Sequence, residues 1–309
     1  MTTRLPAGRP GTVVFLGTPD AAVPSLVALV DAGLPVGLVV TRSDARRGRR
    51  EAPTPSPVKQ AALALGIPVS HDLVDVADAA SRVRDPLGVV VAYGQIIPSP
   101  ILDLVPMVNL HFSLLPRWRG AAPVERAILA GDGESGACVM ELVAELDAGP
   151  VHSCIRTPIG DDESASDLRA RLASLGAQEL ARCCVTGFGE GREQVGVATH
   201  AAKIRPSDLA VDWSGAASVV LRQVRVGGAH TVLWGVRTKI VRARVARTAD
   251  ADAGIPGAVT RGPDGEVVVQ CGEGAVELVD VQQEGRRVVN AGDWWNGTVS
   301  FRHETVRFG

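Results

Sequence analysis

The sequence predicts an α/β fold, a mostly parallel sheet with helices on both faces, followed by a small β-barrel. Three observations point there. The first half repeats strand-then-helix units, the pattern that builds covered parallel sheets. Residues 187–196 interrupt it with four glycines and several charges, the texture of a linker. Beyond Arg205, short β runs separated by glycine-rich turns follow one helix, which suits a barrel of roughly 100 residues. A chain of 309 residues is long for one domain and comfortable for two. The expected limits are 1–187 for the α/β domain, 188–206 for the linker and 207–309 for the barrel.

The elements follow in order. Thr12 to Leu16 is a strand, and Gly17-Thr18-Pro19-Asp20 a turn in which Asp20 caps a helix from Ala21 to Asp31, stopped by Gly33. That turn stands where a dinucleotide fingerprint would begin, but the second and third glycines are missing, so no nicotinamide cofactor is expected. A strand from Val36 to Thr41 runs into a basic loop, after which Ser56-Pro57 opens a helix that Gly66 ends. A short strand at Ile67 to Val69 and a helix from Val74 to Arg84 precede Gly88 to Ala92, the most apolar β-branched run and so a central strand. Met107 to Phe112 continues the sheet, and Ala122 to Ala130 is a helix with Pro123 in its first turn. Strands at 136–143 and 151–157 flank a loop holding Asp147, and a helix from Ser166 to Val185 closes the domain. In the barrel, a helix at 214–224 leads to strands at 231–234, 237–245, 257–260, 266–270 and 275–281.

Composition bounds the function. With 46% hydrophobic and 21% charged residues the chain is globular rather than disordered. A net charge of −2 gives no global field for a polyanion, so any nucleic-acid contact must be local. One local patch exists: Arg42, Arg46, Arg47, Arg49 and Arg50 fall within ten residues. It reads either as a solvated loop or as a grip on phosphates beside the site. The five cysteines include no Cys-x-x-Cys pair, and no histidine stands at metal-ligand spacing; reduced thiols and no metal are expected. The apolar run Val13 to Leu16 is too short to span a membrane, and a cytoplasmic location with no membrane partner is expected. Trp213, Trp234, Trp294 and Trp295 read as packing residues rather than nucleic-acid platforms.

The chemistry concentrates between residues 109 and 123, Asn-Leu-His-Phe-Ser-Leu-Leu-Pro-Arg-Trp-Arg-Gly-Ala-Ala-Pro. Asn109, His111 and Ser113 alternate by two, so on a strand they share one face while Leu110 and Phe112 enter the core. A single His is more often a core residue than a catalyst. Here an amide costly to bury lies beside it, and Leu146-Asp147-Ala148-Gly149-Pro150 supplies an acid on a loop. A donor amide, an imidazole and a carboxylate are the minimal set for moving an acyl group onto an amine. Histidines 71, 152, 200, 230 and 303 lack such neighbours and are assigned no chemistry. Arg117-Trp118-Arg119 reads as surface or as a guanidinium stacked on indole.

These segments resemble the methionyl-tRNA formyltransferases. The resemblance extends to Val13–Pro19, to Pro55-Ser56-Pro57-Val58-Lys59, to Val90-Val91-Ala92-Tyr93-Gly94, and more loosely to Ala201–Ile204 and Asp212-Trp213. It implies a Rossmann-like formyltransferase domain, an OB-like barrel and 10-formyltetrahydrofolate as donor. It implies catalytic roles for Asn109, His111 and Asp147. Folate contacts are implied for Ser113, Leu114, Leu115 and Pro116, and for Tyr93, Gly94, Gln95 and Ile96. Arg42, Arg46, Arg47, Arg49, Arg50, Arg117 and Arg119 become candidates for contact with the acceptor, initiator methionyl-tRNA. Two departures stand out: Phe112 replaces a glycine common in the family, and the segment after the first barrel helix shrinks to Val226–His230. Residues 207–309 carry twelve Lys/Arg against twelve Asp/Glu, giving no net attraction for RNA. Rival readings keep the chemistry but change the acceptor to a small amine (an amino sugar, amino acid or peptide precursor), or let water hydrolyse the formylfolate. A folate- or RNA-binding protein with a decayed site is the non-enzymatic alternative.

Overall fold

The computed structural model describes residues 4–46, 52–246, 254–299 and 306–309. Contacts divide the chain into two compact units, one of residues 1–124, 133–159 and 167–202, the other of residues 125–132, 160–166 and 203–309.

The first unit opens with β1 (Thr12–Gly17), a 3-10 turn (Asp20–Ala22), α1 (Val23–Asp31) and β2 (Val36–Val40). Pro19, not Asp20, occupies the N-cap of that turn; Asp20 sits one residue inside, where its charge still faces the positive end of the turn. Next come α2 (Pro57–Ala64), β3 (Val69–Ser70) and α3 (Val74–Ser81). As expected Ser56 caps α2, its hydroxyl accepting from Lys59 N at 3.0 Å. β3 begins two residues late because Pro68 has no N–H to pair, although its carbonyl accepts from Val39 N. α3 stops short of Arg84 where Asp85, at φ 55, precedes Pro86.

After α3 come β4 (Pro86–Val91), a short α4 (Ser99–Leu102) absent from the sequence reading, β5 (Met107–His111) and β6 (Arg119–Gly120). Then α5 (Pro123–Ala130), β7 (Glu134–Glu141), β8 (Val151–Pro158), α6 (Ala165–Thr186) and β9 (His200–Ala201) follow. The main sheet runs β3-β2-β1-β4-β5-β7-β8. It is parallel through β5 and antiparallel beyond, the mostly parallel architecture that the strand–helix alternation predicts. β6 and β9 form a separate parallel pair. Residues 188–202, read from sequence as linker, thus belong to the first unit.

The expectation of five reduced cysteines needs correction. Cys138 on β7 and Cys154 on β8 are directly opposite in register and joined by a disulfide, while Cys183, Cys184 and Cys271 are free and buried. Cross-strand register, invisible in the spacing of the two residues, brings them together.

The second unit contains a 3-10 turn (Pro206–Leu209), α7 (Ala217–Val226), β10 (His230–Leu233), β11 (Val236–Val245), β12 (Val259–Arg261) and β13 (Val267–Gln270). β14 (Ala275–Gln283), β15 (Val289–Asn290), α8 (Ala291–Trp294) and a π-helical turn (Trp295–Val299) complete it. Its antiparallel sheet, ordered β10-β11-β14-β13-β12, curls so that the C-terminal residues reach both edges. Gly309 exchanges backbone hydrogen bonds with Val232 on β10, while Val259 N donates to Val306 O and Phe308 N to Gly257 O beside β12. Phe308 stacks between Trp213 and Trp294, with ring centroids 5.5 and 5.9 Å away. These two tryptophans are core, as expected, and Trp295 packs against it half-buried; Trp234 is 39% exposed at a turn. Among the described residues no helix is long and apolar enough to cross a membrane.

Candidate active site

β5 carries the key residues. Its alternation puts Met107, Asn109 and His111 on one face, with Val108 and Leu110 buried on the other. Asn109 is paired with Val90 on β4 and Met140 on β7, so its backbone is held from both sides. Its side chain is half-buried and has no hydrogen-bond partner among the described residues. An amide left in that state is ready to bond a ligand.

His111 is 6% exposed at the side chain. Its Nε2 lies 2.8 Å from the backbone oxygen of Trp118. A carbonyl can only accept, so Nε2 carries the hydrogen, and proton exchange with other groups runs through Nδ1. Nδ1 faces Asp147 Oδ2 at 3.6 Å, with the Asp147 side chain 13% exposed. That distance is too long for a direct hydrogen bond.

The turn after β5 is built to present the Trp118 carbonyl. Ser113 Oγ donates to Arg117 O at 2.6 Å and Arg117 N to Leu114 O at 3.1 Å. The Leu115–Pro116 peptide is cis, and Trp118 stands at φ 64. Trp118 N donates to Thr199 Oγ1 at 2.8 Å, and the Arg117 guanidinium lies 4.5 Å from the Trp118 ring centre, the stacked alternative of the sequence reading. Gly120 follows at φ 122, and its N–H donates to Asp147 Oδ2 at 2.8 Å. A Cβ there would stand 2.9 Å from Ala201 O, so only glycine brings this donor to the carboxylate unstrained.

Asp147 is itself at φ 50, an uncommon setting for a side chain other than glycine. Its loop is clamped from a segment the sequence reading left out. The Gln194 amide donates to Asp147 O at 2.8 Å and to Gly149 O at 2.9 Å, and its oxygen accepts from Arg119 Nε and Nη2 at 3.0 and 2.8 Å. Arg119 also pairs with Glu145 at 3.3 Å. Thr199 and Gln194 are the residues that sequence reasoning missed; the glycine-rich texture around them concealed backbone contacts made across long sequence separations.

The other candidates are placed as follows. Ser113 is buried, its hydroxyl spent on the turn, while Leu114, Leu115 and Pro116 are half-buried. Tyr93 lies beyond the C-terminal end of β4, 2% exposed with its hydroxyl lacking a partner among the described residues; burial pushes its pKa above the ordinary phenol value, with Arg42 acting in the opposite sense. Gly94 and Gln95 are exposed, as is Ile96 at 89%. Arg42 and Arg46 are exposed after β2, whereas Arg47, Arg49 and Arg50 lie outside the described residues. A cavity of about 170 Å³ lies at the start of β5, bordered by Pro106, Met107, Glu141 and Leu142 among others, and none of the candidate site residues lines it. His152 bonds Phe188 O through Nδ1 at 3.0 Å and Glu141 through Nε2 at 2.9 Å, and a ring with both nitrogens so bound has none left for chemistry.

The family model described as Formyl transferase matches residues 12–184, and that described as Formyl transferase, C-terminal domain, matches residues 203–299. A methionyl-tRNA formyltransferase of Clavibacter sepedonicus is 44% identical over 301 residues, covering 93% of this chain and 97% of its own. One of Roseobacter denitrificans is 42% identical over 300 residues, covering 93% and 95%. Among solved structures, an N-formyltransferase from Helicobacter canadensis in complex with folinic acid and dTDP-3-aminofucose has TM-score 0.64 at 14% identity, covering 87% of this chain and 98% of that one. HypX from Aquifex aeolicus in complex with tetrahydrofolic acid has TM-score 0.60 at 17% identity, covering 92% of this chain and 46% of HypX. The chain therefore spans just under half the length of HypX. At these identities the two structures speak for the fold alone.

Proposed function

The chain belongs to the methionyl-tRNA formyltransferases of the formyl transferase family, and from that membership we propose that it moves a formyl group from 10-formyltetrahydrofolate to the α-amine of initiator methionyl-tRNA. The reading rests on one juxtaposition: Asn109 and His111 on one face of β5, with Asp147 Oδ2 at 3.6 Å from the imidazole.

The residues fit a formylfolate donor. The half-buried Asn109 amide is free of protein partners among the described residues and lies on the same face of β5 as His111. When bound, the folate supplies an activated formyl group on N10, whose neutral secondary amine is the leaving group. Asn109 donates a hydrogen bond to the formyl oxygen as it gains charge, a role worth about 10²–10³ in rate for comparable donors. Asp147 takes up the proton that the attacking amine loses, His111 assists through Nδ1, and return of a proton to N10 lets the bond between N10 and the formyl carbon break as the new amide bond is kept. Ser113, Leu114, Leu115, Pro116, Tyr93, Gly94, Gln95 and Ile96 are the proposed folate contacts. Arg42, Arg46, Arg47, Arg49, Arg50, Arg117 and Arg119 are proposed to meet the acceptor.

The test supplies 10-formyltetrahydrofolate with charged initiator tRNA and, separately, with amino sugars and free amino acids. Formylation of the tRNA-bound methionine is expected. Formylation of a small amine alone, or release of formate without any acceptor, would overturn the assignment of the substrate.

A further inference from the structure

We propose that Gln194 is a positioning residue that fixes the Asp147 carboxylate against His111, a role that rests on the formyl-transfer reading above. The carboxamide is fully committed: two N–H groups reach Asp147 O and Gly149 O at 2.8 and 2.9 Å, and the oxygen takes two Arg119 N–H groups at 3.0 and 2.8 Å. That uses every donor and both acceptor sites of the amide. Packing does not explain it, because its neighbour Val195 is 87% exposed and the segment carries little apolar burial.

The hold has a purpose on the other side of the loop. Asp147 sits at φ 50, a backbone state that surroundings must enforce. Its Oδ2 must meet Gly120 N at 2.8 Å while facing His111 Nδ1 at 3.6 Å. Gln194 grips the main chain at Asp147 and again two residues later at Gly149. Gly149 is packed so closely that a Cβ would lie 2.0 Å from Glu141 O. Arg119 extends the clamp, reaching Glu145 on the same loop. Gln194 therefore acts on chemistry through Asp147 without touching substrate.

The residue type is specific. A glutamate at this place keeps the length and the Arg119 contacts, but it sets lone pairs against two carbonyl oxygens and loses both loop bonds. Release of the loop displaces the carboxylate, and a shift near 1 Å costs about 10²-fold in rate.

The experiment compares Gln194→Glu and Gln194→Met with the wild type in formylation of methionyl-tRNA, reading kcat, KM for both substrates and Tm, and repeats both changes in an Asp147→Asn background. The expected result is a kcat about 10²-fold lower with both KM values little changed, and no further loss in the Asp147→Asn background, because a residue acting only through Asp147 has nothing left to position. Wild-type kcat in either folded variant overturns the proposal, as does the same fold-loss in both backgrounds. A wild type that formylates no acceptor instead ends the formyl-transfer reading, so the two failures are distinguishable.

Discussion

The backbone N–H of Gly120 donates to Asp147 Oδ2 at 2.8 Å, the same oxygen that faces His111 Nδ1 at 3.6 Å. One carboxylate oxygen thus joins the end of β5, the turn that follows it and a loop some thirty positions on. Charge-assisted bonds of this kind orient an acid as well as stabilise it.

Gly120→Ala strikes that joint directly. A Cβ would stand 2.9 Å from Ala201 O on a backbone at φ 122, so the variant loses more than about 1 kcal/mol of stability and its donor is displaced. Thermal unfolding together with kcat checks this; a variant with wild-type Tm and kcat would show that the close approach is unimportant.

Asn109→Ala separates catalysis from folding. The carboxamide has no protein partner among the described residues, so Tm should hold, while kcat falls by about 10²–10³ and folate binding changes little. Equilibrium folate binding and steady-state formylation measure the two halves. Equal losses in both would assign the amide to ground-state binding instead.

The thiols offer a chemical check. Denatured, unreduced protein should show three reactive thiols, those of Cys183, Cys184 and Cys271, and all five after reduction of the Cys138–Cys154 bond. In the native protein burial pushes Cys183 and Cys271 to about 11 and Cys184 to about 12, so the three should resist thiol reagents near pH 8. Five thiols in unreduced, denatured protein would contradict the pairing.

Asp208 predicts an acid-side stability change. The Arg205 backbone N–H, and then Arg126 at 2.9 Å, hold its carboxyl below the ordinary value. A depressed folded pKa contributes stability above the unfolded value of about 3.9 that disappears as pH falls through the folded one. Asp208→Asn should therefore be less stable than wild type at pH 7 and match it in strong acid. The difference should shrink with salt, since both side chains are partly exposed. Denaturant midpoints across pH give the answer, and a gap that persists unchanged into acid would refute the linkage.

Much of this architecture was legible in the sequence, for identifiable reasons. The period of two at Asn109 and His111 assigned one face because a strand has no other choice, whereas Ser113 lies past the end of β5 in the turn; the apolar run at Gly88–Ala92 marked a central strand. Ser56 before Pro57 announced a cap that the structure contains. What stayed hidden depends on distant backbone. Gln194 reaches carbonyls forty-five and forty-seven positions away, and glycine-rich composition around it read as a connector. β6 and β9 are two residues each, too short for periodicity to register. Cys138 and Cys154 meet through strand register, and the C-terminal residues reach the sheet edges through the curl of β10–β14; neither is a local property.

The Asp147 carboxylate, held toward His111, is proposed to carry the proton chemistry of transfer. Single-turnover formylation of methionyl-tRNA by Asp147→Asn, with donor and acceptor both saturating, tests it most directly. The expected rate is about 10²–10⁴ below wild type, with unaltered binding of both substrates. An asparagine variant that transfers formyl at the wild-type rate would contradict it.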